Sequence, residues 1–105
     1  MIMAVSGCLS SGVFSASKLV SSQRTKLVSI HVTSNSSNTN VIKVFDSSDA
    51  SASGDVEIVR INTRADNSGA NVFNQEYDMH GVVAAKGLWV EITGSGSCAV
   101  TVTFV

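Results

Sequence analysis

Two histidines, two cysteines and eight carboxylates are the chain's reactive inventory, and their spacing decides what chemistry they can do. A nucleophilic triad needs an activated Ser or Cys in reach of a base that a third group orients. His31 with Asp46 or Asp49, and His80 with Asp78, supply a base and an orienter on paper. The nucleophile is missing, because Gly94-Ser95-Gly96-Ser97 lacks the following helix that a Gly-x-Ser-x-Gly elbow requires. Both histidines therefore read as strand and turn residues facing solvent. Neither is spaced from a cysteine in the manner of a zinc ligand set. Asp46, Asp49 and Asp55 crowd one Ser-rich segment, which is oxygen-ligand chemistry suited to calcium. Their spacing departs from an EF-hand loop, and Asp in a turn ordinarily caps backbone amides. Glu57, Glu76 and Glu91 fall on separate polar strand faces, whereas glycoside hydrolysis needs two carboxylates facing each other across a cleft. The expectation is a protein that is not an enzyme and has no catalytic residues, no metal site and no cofactor.

Cys8 and Cys98 lie near opposite ends of the chain. Pairing of the first and last strands would place a disulfide within reach; two reduced thiols buried as small hydrophobes fit equally well.

The elements that must carry these residues are strands. In the segment from Gly87 to Val105, Leu88, Val90 and Ile92 alternate with Trp89, Glu91 and Thr93, and Val100, Val102 and Phe104 alternate with Thr101, Thr103 and Val105. Period-two alternation marks half-buried strands, and the Gly-Ser turn between these two predicts a hairpin. Val28, Ile30 and Val32 oppose Ser29, His31 and Thr33 over Thr25 to Thr33. Ile42 and Val44 oppose Val41, Lys43 and Phe45, and Val56 to Ile61 continues the pattern. Along Val72 to Met79, Phe73, Tyr77 and Met79 are core candidates. A weaker strand spans Val13 to Val20, and Met79-His80-Gly81 reads as a corner before a short edge or bend over Val82 to Ala85. Helical periodicity is confined to a doubtful Val82 to Lys86. The apolar-free run Ser34 to Asn40 and the polar runs Asp46 to Asp55 and Asn62 to Asn71 are turns and loops. Seven or eight short strands at roughly ten-residue spacing predict an all-β chain with a single small antiparallel β-sandwich, jelly-roll or Ig-like. The predicted organisation is an arm over residues 1–12 and a β-sandwich domain over 13–105.

Composition narrows the partners. Seven basic against eight acidic residues give a net charge of -1, with no Lys/Arg cluster for phosphate, so nucleic acid is not expected. Charged residues make up 14% of the chain, below the usual quarter, so its polar surface is built from Ser, Thr and Asn. No apolar run reaches the eighteen or so residues of a membrane span, so no membrane partner is expected. Val5-Ser6-Gly7-Cys8 resembles a lipoprotein cleavage box but lacks a basic segment and a long apolar segment before it, and the start is read as mature sequence. With no proline to mark edges, Lys18, Lys26, Lys43 and Arg60 are the residues that guard them.

The interface candidates follow from this reading. Trp89 falls on the face opposite Leu88 and Val90, and Trp is an efficient contact residue. Met1, Ile2, Met3 and Val5 form an apolar arm suited to docking on a neighbour. Phe104 and Val105 end a strand that must be held by its own sheet or by another copy's.

The run KLVSIHVTSNSSNTNVIKVFDSSDASASGDVEIVRI, followed by GLWVEITGSGSCAVTVTFV, resembles the small β-sandwich virion proteins of tailed bacteriophages. The likeness covers Lys26 to Val105 and rests on alternation and turns. It implies a structural role as a capsid decoration or cement protein on the virion surface, made in the host cytoplasm. It also implies a homo-oligomer, with a trimer favoured, and the major capsid protein as partner. A tail- or fibre-associated module binding carbohydrate or receptor, with Trp89 at its centre, is the alternative.

Overall fold

A computed structural model describes residues 7–34, 39–51, 53–63, 73–94 and 97–105. The described residues form eight strands and no helix: β1 (Leu9–Phe14), β2 (Lys18–Ser21), β3 (Thr25–Ser34), β4 (Asn40–Asp46), β5 (Val56–Asn62), β6 (Phe73–Ala84), β7 (Leu88–Gly94) and β8 (Cys98–Phe104). They make two four-stranded sheets, β1-β8-β3-β6 and β2-β7-β4-β5, with every pairing antiparallel.

The order has a simple logic. β1 pairs β8, β2 pairs β7, β3 pairs β6 and β4 pairs β5, as in one long hairpin. Folding that hairpin over places β8 beside β3 and β7 beside β4, which completes a jelly roll. Of the two architectures the alternation allows, the jelly roll is the one formed.

Alternation explains the packing. The first sheet turns Leu27, Ile30, Val32, Val100 and Val102 inward, and the second turns Ile42, Val44, Leu88 and Val90 inward, all fully buried. Phe73, Tyr77, Met79, Ile92 and Phe104 pack around this core. Each such apolar side chain contributes about 1.5–3 kcal/mol when fully removed from water.

Several expectations change. β7 and β8 do not form a hairpin, because the chain crosses between sheets after Gly94; β4–β5 is the one sequential pair sharing a sheet. In β3 the ladder slips between Leu27 and Ser29, so Leu27 takes the core position and Val28, at the bulge, is only half-buried. β1 begins at Leu9, so residues 9–12 belong to the sheet and not to an arm. Gly12, at φ 72, sits in an irregularity between Ser10 and Val13 that the run LSSG does not advertise.

Met79-His80-Gly81 is not a corner between two elements. It is a bulge inside one twelve-residue strand: β6 advances from Asp78 to Val82 while β3 advances only from Ser29 to Leu27. His80 at φ 55 and Gly81 at φ 72 absorb the extra length, and the Asp78 carboxylate accepts the His80 backbone N–H at 2.8 Å. The doubtful helix over Val82 to Lys86 is the end of β6 followed by a loop.

β1 and β8 do pair, yet no disulfide forms. Their antiparallel register sets Leu9 against Phe104, which leaves Cys8 at the Val105 end of β8 and Cys98 at its other end. Six residues at about 3.3 Å each separate those ends by roughly 20 Å, far beyond disulfide reach. Cys98 is buried as expected, and that burial pushes its thiol pKa up, whereas Cys8 is exposed.

Candidate interaction surfaces

One end of the sandwich is tied shut by the aspartates of the Ser-rich segment. The Asp46 carboxylate accepts backbone N–H groups from Ala85, Lys86 and Gly87 at 3.1, 2.7 and 3.4 Å. Asp55 pairs with Lys86 at 3.0 Å, and this hydrogen bond, then the Ser47 hydroxyl, holds the Asp55 carboxyl below its ordinary range. The Ser47 hydroxyl accepts the Asp49 backbone N–H at 3.3 Å. This is backbone capping, as the sequence suggests, and among the described residues no group of three potential ligands could hold a metal. Gly87 is essential to the arrangement, since a Cβ there would lie 2.4 Å from the Ser21 carbonyl oxygen and 2.6 Å from that of Ser47.

The histidines stay apart from this cluster. His31 Nε2 lies 2.6 Å from Asn74 Oδ1, not beside Asp46 or Asp49. His80 Nδ1 lies 3.5 Å from Asp78 Oδ1, with both side chains exposed on the β6 bulge. Glu57 is engaged by Arg60 through two hydrogen bonds of 2.9 and 2.8 Å, which hold its carboxyl below its ordinary range.

The two outer faces are the extended surfaces. On the second sheet, Leu19, Trp89 and Phe45 are in register across β2, β7 and β4. Phe45 is only 8% exposed, and the Trp89 indole N–H is buried without a hydrogen-bond partner. Glu91, Lys43 and Arg60 form the next row across β7, β4 and β5, and Arg60 carries the Glu57 ion pair. This face is aromatic at one end, and the neighbouring row sets one anion, Glu91, beside two cations, Lys43 and Arg60.

On the first sheet, the outward residues of the two central strands are Ala99, Thr101 and Thr103 of β8 and Lys26, Ser29, His31 and Thr33 of β3. Val105 continues β8 by exchanging backbone hydrogen bonds with Lys26, both at 2.9 Å, and Val83 faces Lys26 from β6. Val13, Val83 and Val105 are exposed here at 73%, 43% and 58%. Glu76 sits opposite His31 on the β6 edge, and neither Lys26 nor Glu76 has an ion-pair partner among the described residues.

The sequence-derived interface candidates disperse over these surfaces. Trp89 is on the outer face of the second sheet, as its phase predicts, but half-buried. Phe104 turns inward against the core, in register with Leu9 and Leu27. Val105 is held by its own sheet through Lys26. Met1, Ile2, Met3 and Val5 lie outside the described residues. Lys26, Glu76 and Val83 are not among the interface candidates that the sequence offers. Their outward phase is legible in sequence, but their shared face appears only once the β3–β6 register is known.

The chain matches no protein-family model, no curated protein and no solved structure.

Proposed function

We propose that this chain is a non-enzymatic structural protein of a tailed-phage virion, a capsid decoration protein that self-associates and binds the lattice of the major capsid protein. The observation that carries the reading is the outer face of the first sheet. It presents hydroxyls and exposed valines around two central strands that bear no carboxylate, next to charges with no partner of their own. A surface of this kind supports self-association through shape and hydrogen bonding, and the weak contacts of an assembled protein, repeated over a shell, multiply into tight attachment. A small β-sandwich is also the architecture that the resemblance over Lys26 to Val105 implies.

The glycan-binding alternative has less support. A sugar platform needs an open aromatic face, and here Phe45 is nearly covered and the indole N–H of Trp89 is not free to meet a ligand.

Purified particles give the test. The expected result is this chain in stoichiometric amounts on the outside of the capsid, seen by mass spectrometry and particle imaging. Its absence from intact particles overturns the reading.

A further inference from the structure

We infer that the outer face of the first sheet is a self-complementary surface on which a second copy of this chain docks about a two-fold axis. This deepens the assembly reading and rests on it for the claim that copies meet; it specifies a dyad in place of the trimer that the resemblance implies.

Lys26 is an exposed cation flanked in register by Val105 and Val83. Glu76 is an exposed anion one strand over and five residues further along β3, opposite His31. The bulge at Val28 takes up one of those residues, so the rows are four residues apart along β8, from Val105 to Thr101, or roughly 13 Å on one face. A two-fold axis lying in that face, across the strands and midway between the rows, sets each row over the other row of the partner copy. Lys26 then lies over the partner's His31 with the partner's Glu76 one strand over and within side-chain reach, twice by symmetry, and Val105 lies over the Thr101 row, where Val13 is exposed. The residues at the axis are Ser29 and Thr103, small enough for close approach. Such an isologous contact closes on itself and builds no filament.

The same symmetry sets one opposing term. Asp78 pairs in register with Ser29 and so approaches its own copy at the β6 edge, with His80 beside each carboxylate. Lengthwise pairing of β6 edges would bring the acidic residues of two copies together as well, and the bulge interrupts that edge, so the face is the better surface for a second copy.

Size sets the strength. Four strands about 4.8 Å apart and about 23 Å long give a projected footprint of roughly 440 Å² a side. The total is near the lower limit of roughly 1,000 Å² for a specific interface, so the contact is a weak, reversible dimer.

The experiment is sedimentation equilibrium of the full chain, wild type and variants, at low and high salt. Lys26→Glu alone and Glu76→Lys alone are each expected to weaken dimerisation by about tenfold or more, and the double exchange to restore it to within about threefold. Asp78→Asn, which keeps an oxygen to cap His80, is expected to tighten the dimer, and added salt to loosen it. All positions are exposed, and unchanged melting temperatures confirm folding. Overturning results are a chain that stays monomeric at millimolar concentration, single reversals without effect, or a double exchange that fails to restore association. A monomer that binds capsids through this face also overturns the inference, because the occupant is then the capsid. A dimer that obeys the exchange but never enters particles keeps this inference and defeats the virion reading.

Discussion

The two outer faces of this sandwich are built by the same alternation and put their polar groups to different use. On the second sheet Glu57 and Arg60 are joined by two hydrogen bonds, and Lys43 faces Glu91 in register across β4 and β7. On the first sheet the middle of the face is hydroxyls and valine, and Lys26 and Glu76 are unpaired. A face whose charges each have an opposite charge bonded or facing them in register within the chain gains less from a partner. A face that keeps them apart, with apolar groups around the cation, has free energy still to release on association. The contrast teaches that Trp89, the residue composition most recommends as an anchor, sits on the self-satisfied side.

The inner faces should not share this asymmetry. Ile30→Ala on the first sheet and Ile42→Ala on the second each remove a fully buried side chain, and both are expected to cost about 2–5 kcal/mol. Denaturant melts check this, and a large difference between the two would show that the sheets do not share one core. Next in size is Gly87→Ala, where the new Cβ must push aside two backbone carbonyls; overpacking of this kind costs roughly 1–3 kcal/mol.

Smaller effects separate the outer faces. Trp89→Ala is expected to lower stability by about 1 kcal/mol or more, through its lost cross-strand contacts with Leu19 and Phe45. Trp89→Phe should recover much of that, since it removes a buried donor that has no acceptor. Thr101→Ala on the first sheet should change stability by less than about 0.5 kcal/mol and register in association instead. If Thr101→Ala destabilises the fold as much as Trp89→Ala does, the division of labour between the faces is wrong.

The smallest effect is electrostatic. Lys86 holds the Asp55 carboxyl below its ordinary range in the folded chain, so the pair's contribution is complete above that range. It is lost as pH falls through the lowered value, where the folded chain takes up the proton. Asp55→Asn should therefore flatten the acid limb of the stability profile and leave the neutral region less stable than wild type. An acid limb unchanged by Asp55→Asn contradicts this assignment.

Much of the architecture is legible before any coordinates, and the reason is period two. Alternation gives the inward phase of Leu88, Val90, Val100, Val102, Ile30 and Val32 correctly because burial on one face enforces it. It is silent on which strands share a sheet, so β7 and β8 read as a hairpin although the chain crosses the sandwich between them. It also fails at bulges, where one extra residue shifts the phase, as at Val28 and at Met79-His80-Gly81. The aspartate clasp is half legible: Asp46 announces a cap, but its targets, some forty residues away in the loop before β7, do not show in local sequence. The candidate surface is the least legible part, because Lys26 and Glu76 come onto one face only through the register of β3 with β6.

Whether copies meet through the first sheet's outer face or the second's is read from backbone and side-chain NMR shifts as the protein concentration is raised. Docking through the first sheet gives concentration-dependent shifts at Ser29, His31, Thr101 and Thr103, with Lys43, Glu91 and the Trp89 indole unmoved. Shifts confined to Trp89, Lys43 and Glu91, or none at any concentration, would contradict it.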